Sequence, residues 1–383
     1  MLPQAENACF LIADISGYTR FLAGVELDHA QDIIADLMDT VLKCLRPPFR
    51  LAKFEGDAAF VHAVGDSFDG HLVQDAIECA YFAFRMRLRD IKQSTSCECN
   101  ACSRMQDLDF KFVCHHGAFI RQKMGGREEL AGRDVILIHR LLKNDVNERL
   151  GGHAYALFSD AAIQAMGIDP VAQGLMEHQE SIDIIGDVTC WLRDLEAAWQ
   201  VETDRQRHEV TRDSSAMVLE FEIAARRPVV WEYFTSPGQR PKWRAAEEVR
   251  ETARNGRRGA GTVNHCMHGK AAIIEEVLDW RPFDYLTLTT LLPAPGAPKI
   301  PMTYTFSEHA DGRTTVEIRI AKPKPKDREF LSRVAQTFKD HISHEVEALR
   351  LIIEGQDAGR ATIEEPSLPV SAQRFQLQPF HTH

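Results

Sequence analysis

The sequence predicts two α+β domains in tandem, and three observations carry that reading. Over roughly the first 200 residues, short apolar strand-like runs alternate with segments of helical periodicity. A polar, charged stretch, QVETDRQRHEVTRDSS, interrupts the pattern near 200–215. Beyond it, closely spaced strand patterns end in one long amphipathic segment, which describes a curved antiparallel sheet gripping a closing helix. A length of 383 residues suits two domains of ordinary size. The expected organisation is a first domain over 1–200, a linker over 201–215, a second domain over 216–355 and a disordered tail over 356–383.

The elements follow in order. Ala8–Ala13 is short and wholly apolar, as a strand buried on both faces would be. Ile33, Ile34, Leu37, Met38, Val41, Leu42 and Leu45 recur at helical spacing across Asp28–Leu45, and Pro47-Pro48 ends that helix. Phe49–Phe54 and Ala58–Val64 flank Glu55-Gly56-Asp57, a hairpin turn. A second helix is expected over His71–Lys92, a strand at Phe110–His115 and a helix opening at Val135. Strands at Ala154–Phe158, Ile182–Ile185 and Val188–Leu192 complete the half. The second half opens on Met217–Ala224, continues through five strand patterns and closes with the helix Asp327–Glu354.

Charge narrows the function. The net charge of −11 lies entirely in residues 1–200, which hold 19 Lys and Arg against 30 Asp and Glu; the remainder is balanced. An acidic first half disfavours nucleic acid, whose phosphates need clustered cations, and suits a divalent metal. There is no signal-peptide pattern and no apolar run long enough for a membrane span, so a cytoplasmic protein is expected. Nine cysteines, mostly scattered, fit a reducing compartment.

The sharpest local signal is a pair of carboxylates. Asp14 ends an apolar strand in IADISGYT, and Asp57 sits in the hairpin turn of KFEGDAAF. If those strands are neighbours, the two acids converge at one sheet edge, where they can hold Mg²⁺ or Mn²⁺ against a triphosphate. Lys53 lies four residues before Asp57, about 13 Å along a strand, so it cannot share that metal and must act elsewhere.

Four segments in order resemble class III nucleotide cyclases. They are Leu11-Ile12-Ala13-Asp14-Ile15-Ser16-Gly17-Tyr18-Thr19, Lys53-Phe54-Glu55-Gly56-Asp57, Cys114-His115-His116-Gly117, and Gly132-Arg133-Asp134-Val135-Ile136-Leu137-Ile138-His139-Arg140-Leu141. The resemblance covers about residues 8–195 and implies a ferredoxin-like, nucleotide cyclase-type domain. It implies that Asp14, Ile15 and Asp57 contact Mg²⁺ or Mn²⁺, and that Lys53 with Glu129 reads the adenine of ATP. It implies that Arg140 stabilises phosphate charge and that a homodimer completes the site, with metal acids from one chain and lysine plus arginine from the other. Two positions depart from the family: the asparagine that orients the ribose is Ile136 here, and the Asp or Thr that reads the adenine amino group is Glu129, another acid. Slow or absent cyclisation is therefore expected, and a degenerate cyclase-fold scaffold or sensor is the alternative.

Cys97, Cys99 and Cys102 fall within six residues, a density that suits zinc, with Cys114 or a histidine as a fourth ligand; the alternative is a reduced loop without metal. Residues 215–355 resemble the START and polyketide-cyclase-like helix-grip superfamily. The resemblance rests on the opening strand, Pro228-Val229-Val230-Trp231-Glu232-Tyr233-Phe234-Thr235, Trp243 and the closing helix. It implies a cavity for an apolar small molecule, expected to be lined by Trp231, Phe234, Trp243, Phe306, Phe330 and Phe338. That ligand could regulate the first domain, or the second domain could act by itself as a hydrophobic-ligand carrier.

Overall fold

A computed structural model describes the chain except residues 1–3, 26, 95–99, 147–149, 151–153, 205–206, 254–255, 270, 295 and 356–383. The expected tail and Cys97 and Cys99 thus lie outside the described residues. The chain divides into two units. The first comprises Met1–Gln206 with Asn255–Arg258, and the second Arg207–Arg254 with Gly259–His383. No helix among the described residues is long and apolar enough to cross a membrane.

Unit 1 is built on β1 (Glu6–Ser16), whose residues 8–13 are fully buried. An uninterrupted apolar run can only sit where both faces and both edges are covered. Accordingly β1 pairs antiparallel with β3 (Ala58–Val64) on one side and with β4 (Asp109–Met124) on the other. The sheet continues outward on both sides, in the order β2 (Arg50–Glu55), β3, β1, β4, β6 (Tyr155–Ser159), β8 (Gly186–Asp194), β7 (Met176–Ile182). β4 and β6 run parallel, bridged by a crossover that contains the helix Arg133–Leu141. The first five helices of the unit among the described residues are α1 (Tyr18–Leu22), α2 (Leu27–Leu45), α3 (Gly70–Ser94), α4 (Asn100–Arg104) and α5 (Arg133–Leu141). α5 buries Val135, Leu137, Ile138 and Leu141 in one cluster with Phe10, Ile12, Phe60 and Val113 of the sheet. α6 (Asp160–Met166) and α7 (Leu195–Asp204) complete the unit.

Three expectations change here. β4 runs nine residues past His115 and folds back on β5 (Arg127–Ala131) through Gly125 and Gly126, both at positive φ. The strand expected at Ile182–Ile185 is instead Met176–Ile182, whose sequence MEHQESI is polar because most of its side chains face solvent. The expected linker is ordered at both ends. α7 extends through Asp204, and the His208 and Val210 N–H groups donate to Asp279 Oδ2 (3.0 Å) and Thr303 Oγ1 (2.8 Å). Asp279 and Thr303 are buried, and a buried acceptor requires a donor.

Unit 2 is a seven-stranded antiparallel sheet in the order β10 (Glu248–Thr252), β11 (Val263–His268), β12 (Ala271–Arg281), β13 (Tyr285–Leu291), β14 (Ile300–Glu308), β15 (Thr314–Ala321), β9 (Ser215–Ile223). α8 (Arg227–Thr235) follows β9, and α9 (Arg328–Ile353) closes the chain. This is a helix-grip architecture, and its seventh strand, β10, has no counterpart in the sequence reading.

Candidate functional site

The strand order brings the two acids together. Asp14 stands opposite Ala58 on β3 and Lys111 on β4, at the end of β1. The β2–β3 turn turns back at Gly56 (φ 66°), and the Asp57 carbonyl accepts the Ile15 N–H at 3.3 Å. Burial raises the Asp57 carboxyl above its ordinary pKa, and the neighbouring Asp14 charge raises it further. Burial raises Asp14 as well, against the pull of Lys111, whose Nζ lies 3.0 Å from Asp14 Oδ2. Two carboxylates facing one lysine leave a net negative charge, and two oxygen-donor side chains suit a hard divalent ion. The donor set therefore fits Mg²⁺ or Mn²⁺ at Asp14 and Asp57, with Ile15 between them in sequence. Lys111 escaped the sequence reading because its relation to Asp14 depends on strand register.

Lys53 and Glu129 also meet. Lys53 Nζ lies 2.9 Å from Glu55 Oε1 and 3.3 Å from Glu129 Oε2. The Glu55 hydrogen bond is the main cause of the raised Lys53 pKa. Glu55, not anticipated from sequence, takes His139 Nε2 at 2.9 Å, while His139 Nδ1 donates to the Val135 carbonyl at 2.6 Å. His139 thereby ties α5 to the lysine.

The α5 start is fixed by a close approach. A Cβ on Gly117 would stand 2.4 Å from Asp134, whose Oδ2 accepts the Ala118 N–H at 2.7 Å. Ile136 and Arg140 share a solvent face four residues apart. Ile136 is 57% exposed, and Arg140 makes no ion pair among the described residues. Asn144 is already committed: its Nδ2 donates to the Leu141 carbonyl (2.7 Å), and its Oδ1 accepts from Tyr155 Oη (2.7 Å).

A serine–histidine–aspartate chain exists and has a structural role. His115 lies 2.7 Å from Ser159 Oγ and 3.6 Å from Asp134. Ser159 is buried and caps α6 by accepting the Ala162 N–H, so its hydroxyl is shut off from substrate. Cys114 is not placed as a zinc ligand. It is buried in mid-strand with Sγ 3.4 Å from Cys9 Sγ, and that contact together with burial raises its pKa, keeping it protonated. Cys102 lies half-buried in α4.

In unit 2 the aromatic residues divide. Trp231 and Phe306 are core, with ring centroids 5.3 Å apart, and Phe234 packs on Phe306 at 5.4 Å. Phe234 and Trp243 border a cavity of about 10 Å³ beside Tyr304, Ile318, Ile342 and Val346. Phe330 and Phe338 are half-buried on α9 and do not line it. The space expected for an apolar ligand is thus closed at this point to about the size of one water. Charged groups, unanticipated, form its other wall: Arg240, Arg244 and Glu345. Arg240 and Arg244 both pair with the fully buried Glu275, and Arg244 also reaches Glu345 Oε2 at 3.4 Å. The sheet-to-helix space is filled because side chains from β12, α9 and the segment after α8 neutralise one another inside it.

Burial alone would raise the Glu345 pKa, yet Arg244 and His341 hold it at about 2, against an ordinary 4.5. A depressed folded-state pKa stabilises above the unfolded value and is lost as pH falls through the folded one. Acidification from pH 4.5 towards 2 should therefore remove on the order of 3 kcal/mol from unit 2. Acid titration followed by tryptophan fluorescence checks this, and Glu345→Gln should flatten the transition in that window.

Comparisons with known proteins give the following. Residues 34–149 match the family model described as "Protein of unknown function (DUF2652)". Residues 214–351 match "Polyketide cyclase / dehydrase and lipid transport", so the second unit carries a domain of that type. A curated relative, "Uncharacterized protein Rv2561/Rv2562" of Mycobacterium tuberculosis, is 42% identical over 113 residues, 30% of this chain. The chain spans about half of that relative's length, 52%. Among solved structures, a bacterial light-regulated adenylyl cyclase matches 50% of this chain and 51% of its own, at 13% identity and TM-score 0.39. The adenylyl cyclase CyaB from P. aeruginosa matches 51% of this chain and 97% of its own, at 16% identity and TM-score 0.38.

Proposed function

We propose that unit 1 binds a purine nucleoside triphosphate, ATP by preference, with a divalent metal, and cyclises it slowly or not at all. The observation that carries this is the convergence of Asp14 and Asp57, close enough that one charge raises the pKa of the other. Bound there, Mg²⁺ or Mn²⁺ would neutralise phosphate charge and activate the 3′-oxygen. Lys111 holds the Asp14 carboxylate in place. Lys53 and Glu129 supply a donor and an acceptor for the adenine edge. Arg140, exposed on α5, is available to phosphate oxygens contributed with a second copy of the chain, since in a homodimer the two halves of the site come from different subunits. Ile136 offers the ribose no hydrogen bond, which favours a nucleotide-binding sensor over a fast cyclase.

Mn-ATP should raise the melting temperature of unit 1 by about 5–10 °C at a hundredfold excess over Kd. Asp57→Asn should remove the metal-dependent part of that shift while leaving the apo protein folded. A full shift in Asp57→Asn would overturn the metal assignment.

For unit 2 the half-buried apolar stripe Phe330, Val334 and Phe338 on α9 supports an apolar small molecule entering beside that helix. The same melting assay with a fatty acid in place of nucleotide reads that site, and an unchanged transition counts against it.

A further inference from the structure

A second group of potential metal ligands lies apart from Asp14 and Asp57. His178 and Glu180 are two residues apart on β7, so they share a face of the sheet, together with Ile182 of the unit 1 core. Asp145, in the turn after α5, approaches the same point. One ligand atom from each of the three residues lies within 4.8 Å of the other two. His178 Nε2 stands 2.6 Å from Glu180 Oε1 and 3.7 Å from Asp145 Oδ1.

We propose that Asp145, His178 and Glu180 form a binding site for a zinc-like first-row divalent ion. Three features support it. The first is distance. Ligands of a tetrahedral ion held at about 2.0–2.2 Å stand about 3.4 Å from one another. The two spacings from His178 Nε2, 2.6 and 3.7 Å, reach that value with shifts under about 1 Å, well within the reach of a carboxylate rotamer. The second is the imidazole itself. His178 is only 3% exposed, and its Nε2 faces two carboxylates brought by two separate elements. An imidazole among carboxylates selects zinc, manganese or iron over magnesium and calcium, which take oxygen ligands. The third is charge. Among the described residues neither Asp145 nor Glu180 pairs with a lysine or arginine. Their negative charges join that of Asp14 in raising the pKa of the buried Tyr155 hydroxyl, after burial itself. A divalent ion at this point would balance that field. The site is open on one side, since the Asp145 side chain is 67% exposed, which gives the ion a path in.

The test is zinc titration of the full-length chain by calorimetry in saturating Mg²⁺, with Cys97, Cys99 and Cys102 replaced by serine so that no thiolate site competes. One zinc should bind per chain. Asp145→Asn, a change at an exposed side chain that should leave the circular dichroism spectrum intact, should weaken binding about tenfold or more, and Glu180→Gln should do the same. Asp57→Asn should leave zinc binding unchanged. Absence of binding in the serine background, or equal affinity in both the Asp145 and Glu180 variants, would overturn the assignment. Loss of binding in Asp57→Asn would also overturn it, by placing the zinc at the other acids.

Discussion

Ile136→Asn should raise the rate of cyclic AMP formation by about 10²–10³, the usual worth of one positioning polar contact in a transition state. The residue lies on the solvent face of α5, four positions before Arg140, where an amide can meet a ribose. Its exposure decides the cost of the change. A buried amide without a partner would destabilise the domain by about 1–3 kcal/mol, but a side chain 57% exposed keeps its water. The melting temperature should therefore hold while turnover rises. The measurement is chromatography of cyclic AMP and pyrophosphate after incubation with Mn-ATP. Brisk product formation by the unaltered chain would show that the isoleucine does not impair the site, and an Ile136→Asn protein as slow as its parent would count against a latent cyclase.

Glu275→Ala should cost unit 2 about 3–5 kcal/mol, a large share of the roughly 5–15 kcal/mol that holds a domain folded. Glu275 is fully buried and is paired with both Arg240 and Arg244. Without it Arg244 keeps Glu345, but Arg240, 2% exposed and already lacking a partner at Nε, is left as an uncompensated charge. Replacing charge and counter-charge together, as in Arg240→Met with Glu275→Leu, should recover most of the loss, because apolar side chains of similar volume need no partner. Urea denaturation of the three proteins measures both effects. A loss under about 1 kcal/mol in Glu275→Ala would mean that Arg240 regains water by a local rearrangement.

What could be read from the sequence, and what could not, follows the reach of each signal. Asp14 and Asp57 were legible as neighbours because a wholly apolar strand and a Gly-Asp turn mark them locally, whereas the pairing of Lys53 with Glu129 came only from the resemblance to nucleotide cyclases. Lys111 and Glu55 were not legible, since each acquires its role from an interaction that spacing alone does not reveal. β5 and β7 were missed or displaced because REELA and MEHQESI are edge elements with few inward side chains, so the alternation that marks a half-buried strand is weak in them. The unit 2 aromatics were legible as apolar but not as core or lining, a distinction that only packing makes. The network of Arg240, Arg244, Glu275 and Glu345 joins residues up to 105 positions apart, and nothing local marks such residues as buried.

Strand β1 has a consequence for exchange with solvent. Its amides lie between two antiparallel neighbours, and side chains 8–13 are wholly enclosed. Hydrogens on such a strand escape only when the whole unit opens, whereas those of the β2–β3 turn escape by local fraying. Asp14 and Asp57 therefore sit at opposite ends of the kinetic scale, one on the slowest-exchanging segment and one on a fast one, joined by the Ile15-to-Asp57 hydrogen bond. Any ion that bridges them would be reported almost entirely by slowed deuterium uptake around Gly56 and Asp57, with β1 already at its limit.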